Sequence, residues 1–218
     1  MIGWPILGAA LLGVLASVQT ARDSGVRGAA LLLLPRSGVP LSFEQIEERW
    51  PRREGASAGE VTSSRCYRDA SGRLRLEGPS YVVLIDPIAG YKILLSEQVA
   101  YRTPWPKSGE GKLVFFGAGD SLAASRNWTT RTGDIGKRVI EGIEFWGIRV
   151  VQTSEDDSTL TKKIEQWYSD ELSLIGFAVA ADPNETRTVR IRNVRREEPD
   201  PILFTIPPDY KVLDLKLP

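Results

Sequence analysis

Cys66-Tyr-Arg-Asp-Ala-Ser-Gly-Arg-Leu-Arg-Leu-Glu77 holds two strand ends and the turn between them. In its second half Leu74 and Leu76 alternate with Arg73, Arg75 and Glu77, so one side is apolar and the other charged. That period of two is the signature of a strand, whose successive side chains point to opposite faces. Asp69-Ala-Ser-Gly72 is the tight turn, with Gly72 free to take a positive φ. Val61 to Arg68 is the incoming strand. A hairpin with one wet face belongs to an antiparallel sheet.

The same reading extends in both directions. Phe43 to Trp50 is a first strand, with Phe43, Gln45, Glu47 and Arg49 opposite Glu44, Ile46, Glu48 and Trp50, and Pro51 to Gly59 is a loop. Tyr81 to Ile85 is apolar throughout, Asp86 to Gly90 turns, and Tyr91 to Leu95 and Gln98 to Thr103 follow. Further on, Lys137 to Gly142 and Glu144 to Thr153 form a hairpin pivoting at Gly142. Leu160 to Tyr168, Leu172 to Ala181 and Thr186 to Val194 complete the series, separated by Ser169-Asp-Glu171 and Asp182-Pro-Asn-Glu185. Strands about 10–14 residues apart with turn signals between them predict one meandering antiparallel sheet. Pro104 to Thr132 reads as a long mixed connection, a lid, crossing segment or disordered loop. Its Ser121 to Trp128 stretch has the best helical period in the chain, a weak one. The expected fold is mainly β, a strongly curved antiparallel sheet of half-barrel type, with an all-β sandwich as the alternative.

Met1 to Ala21 carries no charged side chain, and Ile6 to Val18 is an apolar run of signal-peptide length. Val14-Leu-Ala16 and Gln19-Thr-Ala21 offer small residues for cleavage. The reading is a signal peptide or N-terminal anchor over 1–21, a linker over 22–40, and a single antiparallel β domain over 41–218. The run Ala29 to Leu34 is too short to span a bilayer. The location expected is periplasmic or extracellular, or inner-membrane anchored through residues 1–21. A single cysteine in an exported chain fits a bacterial envelope better than a eukaryotic secretory route.

Composition excludes several chemistries. Lys+Arg and Asp+Glu are both 28 in 218 residues, so there is no net basic charge to displace counterions from nucleic acid or to hold a polybasic chain on a membrane. Membrane contact is expected only through an uncleaved leader. There is no histidine, which removes the usual general base, the commonest metal ligand and every Ser-His or Cys-His pair. Cys66 alone makes neither an intramolecular disulfide nor a CxxC site. It reads as a small, half-buried strand residue. Gly117-Ala-Gly-Asp120 and Gly109-Glu-Gly-Lys112 lack the Lys-Ser/Thr of a phosphate loop and any βαβ setting. Asp156 and Asp157 lack the spaced ligands of a calcium loop and read as a solvated turn. No catalytic residue, metal site or cofactor is expected, and the protein is read as not an enzyme.

Of the six tryptophans, Trp50, Trp146 and Trp167 fall in strands, Trp105 and Trp128 in the long middle segment, and Trp4 in the leader. By parity Trp146, Ile148 and Val150 share one face, and Phe145 and Val151 share the other with Gly147 and Arg149. Both faces are partly apolar, so each needs a cover. Trp146, Ile148, Val150 and Trp167 are the candidate lining of a ligand cavity on a concave sheet, with plain core packing as the competing reading.

The opening stretch resembles a hairpin of the form YRDSxGRxRxE in a family of bacterial exported proteins. Ile85-Asp-Pro-Ile-Ala-Gly90 resembles that family's next hairpin, Ile140-Glu-Gly-Ile-Glu144 a strand opening, and Glu165-Gln-Trp-Tyr-Ser169 a further strand. The best match is the end, Glu198-Pro-Asp-Pro-Ile-Leu-Phe204 followed by Ile206-Pro-Pro-Asp-Tyr210. This closing motif is also similar to that of the periplasmic lipoprotein-carrier (LolA-like) and sigma-factor-regulator fold. The resemblance implies an incomplete barrel that holds acyl chains or peptides, here without obvious helices to plug it. It brings no catalytic residues. The expected role is an exported envelope protein binding a lipid or other apolar ligand in its concavity, so the partner is an acyl chain or an envelope protein. The alternative is a structural or interaction protein of the envelope with no small-molecule ligand and a filled concavity.

Overall fold

The computed structural model describes residues 36–52, 59–104, 128–159 and 161–215. In chain order the strands are β1 (Leu41–Pro51), β2 (Glu60–Arg68), β3 (Leu74–Glu77), β4 (Tyr81–Ile85), β5 (Ala89–Leu94), β6 (Val99–Pro104), β7 (Trp128–Ile140), β8 (Ile143–Ser154), β9 (Thr161–Ser169), β10 (Leu174–Ala181), β11 (Glu185–Arg195) and β12 (Lys211–Asp214). Among the described residues one 3-10 turn, Pro201–Phe204, precedes β12. Among the described residues no helix is long and apolar enough to cross a membrane.

All twelve strands form one sheet in the order β12-β6-β5-β4-β3-β2-β1-β11-β10-β9-β8-β7. It is open and curved, the half-barrel expected, and not two sheets packed as a sandwich. The meander is corrected in two respects. First, β1 does not sit at an edge: it is zipped antiparallel between β2 and β11, joining two meanders, β1–β6 and β7–β11. The reason lies in β1 itself, where Leu41, Phe43 and Gln45 bury one face and Ile46 the other, so neither flank can be left to water. Second, β12 pairs parallel with β6. Its four residues are mostly exposed and too few to show a period.

The long middle connection is also shorter than expected. β7 reaches back to Trp128, pairing through Thr129, Thr130 and Thr132 with the far half of β8. Branched threonines favour the extended backbone, and a register shift at Asp134/Gly136 lets both halves of β7 pair. Residues 105–127, most of the weak helical candidate among them, lie outside the described residues, as does the leader.

The founding hairpin forms as read. Gly72 sits at φ +90, its N–H donating to the Asp69 carbonyl at 3.0 Å. The Asp69 carboxylate accepts from Ser71 Oγ (2.7 Å), Arg73 N (2.8 Å) and Arg73 Nε (2.6 Å). Burial alone would raise the pKa of Asp69, but these donors outweigh it and hold the group below its ordinary 3.8. At the β7–β8 turn Glu141 (φ 51) and Gly142 (φ 74) both take left-handed backbone, the pairing a two-residue hairpin requires.

The C-terminal motif straps down the first meander. Glu198 accepts from Ala70 N at 3.0 Å, Arg75 Nη1 donates to the Leu203 carbonyl at 2.6 Å, and the Arg73 guanidinium lies 5.0 Å from the centre of the Phe204 ring. Ile206 and Tyr210 pack on a small core of Val82, Leu84, Ile93 and Ala100. The opening hairpin and the closing motif are therefore partners in space.

The larger core lies on the other face. There Leu74, Leu76, Cys66, Phe43, Leu41, Ile191, Val189 and Ala178 are all buried. Arg68 is fully buried on this face and donates through Nε to the Val39 carbonyl and through Nη2 to the Leu172 carbonyl, both at 2.7 Å. In a flat sheet β2 stands three spacings of about 4.8 Å from β10, further than an arginine side chain reaches. The sheet and its β9–β10 turn therefore curl toward this face, which is the concave one.

Candidate ligand-binding face

Register fixes which residues share the concave face. Trp146, Ile148 and Val150 of β8 stand opposite Tyr168, Gln166 and Ile164 of β9. Gln166 and Ile164 in turn face Ala178 and Ala180 of β10, which face Val189 and Arg187 of β11. Val189 and Arg187 pair with Glu47 and Arg49 of β1, and Ile191 with Gln45. Trp146, Ile148 and Val150 thus belong to one face, continuous with the main core. Trp146 is 44% exposed while Val150 is only 2% exposed. Ile148, Ile164 and Tyr168 are half-buried between them. The Lys137 ammonium lies 4.2 Å from the centre of the Trp146 ring.

Trp167 is not with them. It pairs with Gly147 and stands on the opposite face, where its ring and Ile135 occupy the space a Gly147 Cβ would need. The Arg138 guanidinium covers it there at 5.6 Å, and Phe177 at 4.8 Å. Parity is read within a strand. The phase of β9 against β8 depends on register, which no count from Trp146 to Trp167 supplies. Phe145, alternating with Trp146, is fully buried with its ring tip over Gly176.

The concave face also holds what the sequence reading missed, a strip of buried polar side chains. Gln45 is 1% exposed, Gln166 1%, Glu47 4% and Arg187 4%. The Glu47 carboxylate accepts from Arg187 Nη2 at 2.6 Å and from Arg49 Nε. Two buried atoms of the strip, Arg187 Nε and Gln166 Oε1, have no hydrogen-bond partner among the described residues. Burial pulls the Arg187 pKa down, against the opposing pull of the Glu47 carboxylate. Each unpartnered buried group costs about 1–3 kcal/mol, and a buried ion pair rarely repays its desolvation, so packing alone gives little reason for this strip. A signal for Arg187 was in the sequence: it shares a strand face with Val189 and Ile191. Gln45 and Glu47 gave none, because the two faces of β1 are about equally polar.

Cys66 is fully buried beside Gln45, its Sγ 3.9 Å from Oε1, and burial pushes its thiol pKa far above the ordinary 9.0. It is inert there. On the opposite face a cleft of about 220 Å³ lies between the 3-10 turn and β3–β5, lined by Leu84, Tyr91, Phe204, Ile206, Arg73 and Asp86. Its charged groups are spent locally, Arg73 on Asp69 and Asp86 on the N–H groups of Ile88 and Ala89.

No protein-family model matches the sequence, and no curated protein matches it either. Solved structures do. An uncharacterised conserved protein from Thermus thermophilus is similar over 96% of this chain and 99% of its own, at 11% identity and TM-score 0.50. The lipoprotein LppX of Mycobacterium tuberculosis matches over 91% and 99%, at 11% identity and TM-score 0.36. A LolA superfamily protein from Nitrosomonas europaea matches over 90% and 97%, at 10% identity and TM-score 0.28. At 11% identity the likeness to the Thermus thermophilus protein is one of fold, here an open, mainly antiparallel sheet.

Proposed function

We propose that this chain is an exported binding module of a bacterial cell envelope, which holds an acyl chain or another apolar ligand on its concave face and carries out no reaction. The observation behind the reading is the band of Trp146, Tyr168, Ile148 and Ile164. These large apolar side chains share the inner face of a curved, open sheet and are left half-buried or exposed. A soluble domain gains from covering such a band. The leader-like N-terminus supports an exported location.

The test is a titration of the protein, purified from a bacterial periplasm, with the neutral apolar dye N-phenyl-1-naphthylamine. Saturable enhancement of dye fluorescence, weakened about ten-fold or more by Trp146→Ala, is the expected result. A dye signal absent from the wild type, or unmoved by Trp146→Ala, refutes the reading. A second reading, an envelope interaction protein without a small ligand, draws on β7. This strand has thirteen residues, stands at the sheet edge and carries mostly exposed side chains among the described residues. Such an edge can pair with another chain.

A further inference from the structure

The cleft of about 220 Å³ on the outer face is held open by its own framework. The strap that forms one wall is tied down on both sides. Upstream, Glu198 holds Ala70 N, Arg75 holds the Leu203 carbonyl, and the Asp200 carboxylate caps the 3-10 turn through Ile202 N at 3.0 Å. Downstream, Lys211 N donates to the Gln98 carbonyl at 3.0 Å and β12 pairs with β6. Between these ties Pro207 and Pro208 have φ locked by their rings, and Tyr210 N donates to the Pro207 carbonyl at 3.1 Å. The strap is therefore not free to sag onto Leu84 and close the gap. Packed protein interiors leave few voids larger than a water molecule, so a gap of this size against the sheet is a preformed feature.

Its floor is buried and apolar, with Leu84 5%, Ile85 7% and Phe204 8% exposed. Tyr91 and Ile206 are half-buried at the rim, which leaves the floor reachable from solvent. An entering ring meets two aromatic rings and two branched aliphatic side chains, the surroundings in which aromatic pairs gain beyond their buried area. A dry cavity of about 150 Å³ takes benzene, so this one fits a substituted ring or two fused rings. The ions around it are matched. Arg73 gives its Nε–H to Asp69, and Asp86 accepts from Ile88 N and Ala89 N, both at 2.7 Å. Arg75 pairs with Glu77, and Arg102 with Asp214. A charged ligand would lose water here without meeting an unmatched counter-charge. The Nη groups of Arg73 donate to no acceptor among the described residues, so they remain available to a neutral oxygen.

We propose that this cleft is a second binding site, for a small uncharged aromatic molecule of one or two rings that carries an oxygen substituent, a phenol or an aryl ketone. The ring lies among Phe204, Tyr91, Leu84 and Ile206, and its oxygen accepts from Arg73. The site is on the opposite face from Trp146 and goes beyond the acyl reading, so either stands without the other.

The experiment titrates the purified protein at pH 7.5 with 2-naphthol, 2-naphthoate and 2-naphthylmethylamine, followed by calorimetry and by methyl NMR. One equivalent of 2-naphthol is expected to bind at sub-millimolar concentration, ten-fold or more tighter than either ion. The methyl resonances of Leu84, Ile85 and Ile206 should shift, and those of Ile148 and Ile164 should not. Ile206→Trp, which sets an indole at the mouth, should weaken binding ten-fold or more. Tyr91→Leu, a gentler change at a half-buried position, should weaken it at least three-fold, and Trp146→Ala should leave it unchanged. Absence of 2-naphthol binding, or shifts confined to Ile148 and Ile164, overturns the site and leaves the acyl reading standing. Loss of binding with Trp146→Ala also overturns it, by moving the ring to the concave face. Tighter binding of either ion overturns the uncharged class of ligand.

Discussion

Gly176→Ala tests the packing that links β8 to β10. Gly176 is the extra residue at the register shift between Ile175 and Phe177. A Cβ placed there would lie 2.5 Å from Phe145 Cζ, 2.6 Å from Cε1 and 3.0 Å from Cε2. Non-bonded carbons sit at about 3.5–4.0 Å, so the ring tip must retreat by about 1 Å. It has little room, because Phe145 is fully buried among residues of the main core. Forcing one methyl group into a packed core costs about 1–3 kcal/mol, and we expect the upper half of that range. Urea unfolding followed by tryptophan fluorescence should give a lower midpoint at unchanged slope, since the exposed surface barely changes. The ring tip is the obstacle, so Phe145→Leu, which lacks those atoms, should absorb the methyl group. The double variant is then less destabilised than the sum of the singles by about 1 kcal/mol or more, a coupling within the range for contacting residues. A loss under about 0.5 kcal/mol for Gly176→Ala, or strict additivity with Phe145→Leu, would refute the reasoning.

Other consequences are as direct. Asp69→Asn should cost about 1–3 kcal/mol near neutral pH, the worth of charge-assisted bonds to the turn. The wild-type group has its pKa depressed, so its contribution is present above the unfolded-state pKa and lost as pH falls through the folded one. Acid titrations of stability for the two proteins should therefore converge below pH 3.8, and a constant gap would contradict the carboxylate's role. Cys66 should stay unreactive toward a thiol reagent at pH 8 until the protein unfolds. Its pKa is raised in the fold, so its stabilising contribution holds below the ordinary 9.0 and drains away above it. Rapid labelling of the native protein would disprove the burial. Arg68→Met leaves the Val39 and Leu172 carbonyls without their donor, at about 1–3 kcal/mol each, so roughly 2–6 kcal/mol in thermal or urea unfolding. A near-neutral result would mean that Arg68 does not hold the curl.

The strands were legible because each carries its own period. Tyr81 to Ile85 was placed to the residue, and Phe43 to Trp50 and Thr186 to Val194 to within two residues at either end. What local pattern does not encode is which strands meet. That β1 joins β11 follows from burying both its faces, a tertiary demand that a meander rule overlooks. β12 escaped because four mostly exposed residues have no period to read. Parity grouped Trp146, Ile148 and Val150 on one face, where they stand, but it could not carry across a turn to Trp167. The polar strip was least visible. Glu47 and Gln45 look like solvated strand residues until the sheet closes over them, and burial of charge is a property of the fold, not of the strand.

The most direct test of the central claim is what the protein carries. We would export the chain to a bacterial periplasm, purify it without detergent, record its native mass and extract its lipids. The account predicts an excess mass of one acyl-bearing species per chain, recovered in the extract and lost from Trp146→Ala. A clean mass with an empty extract, from a folded protein that also ignores added dodecanoate and dodecanol, would contradict it.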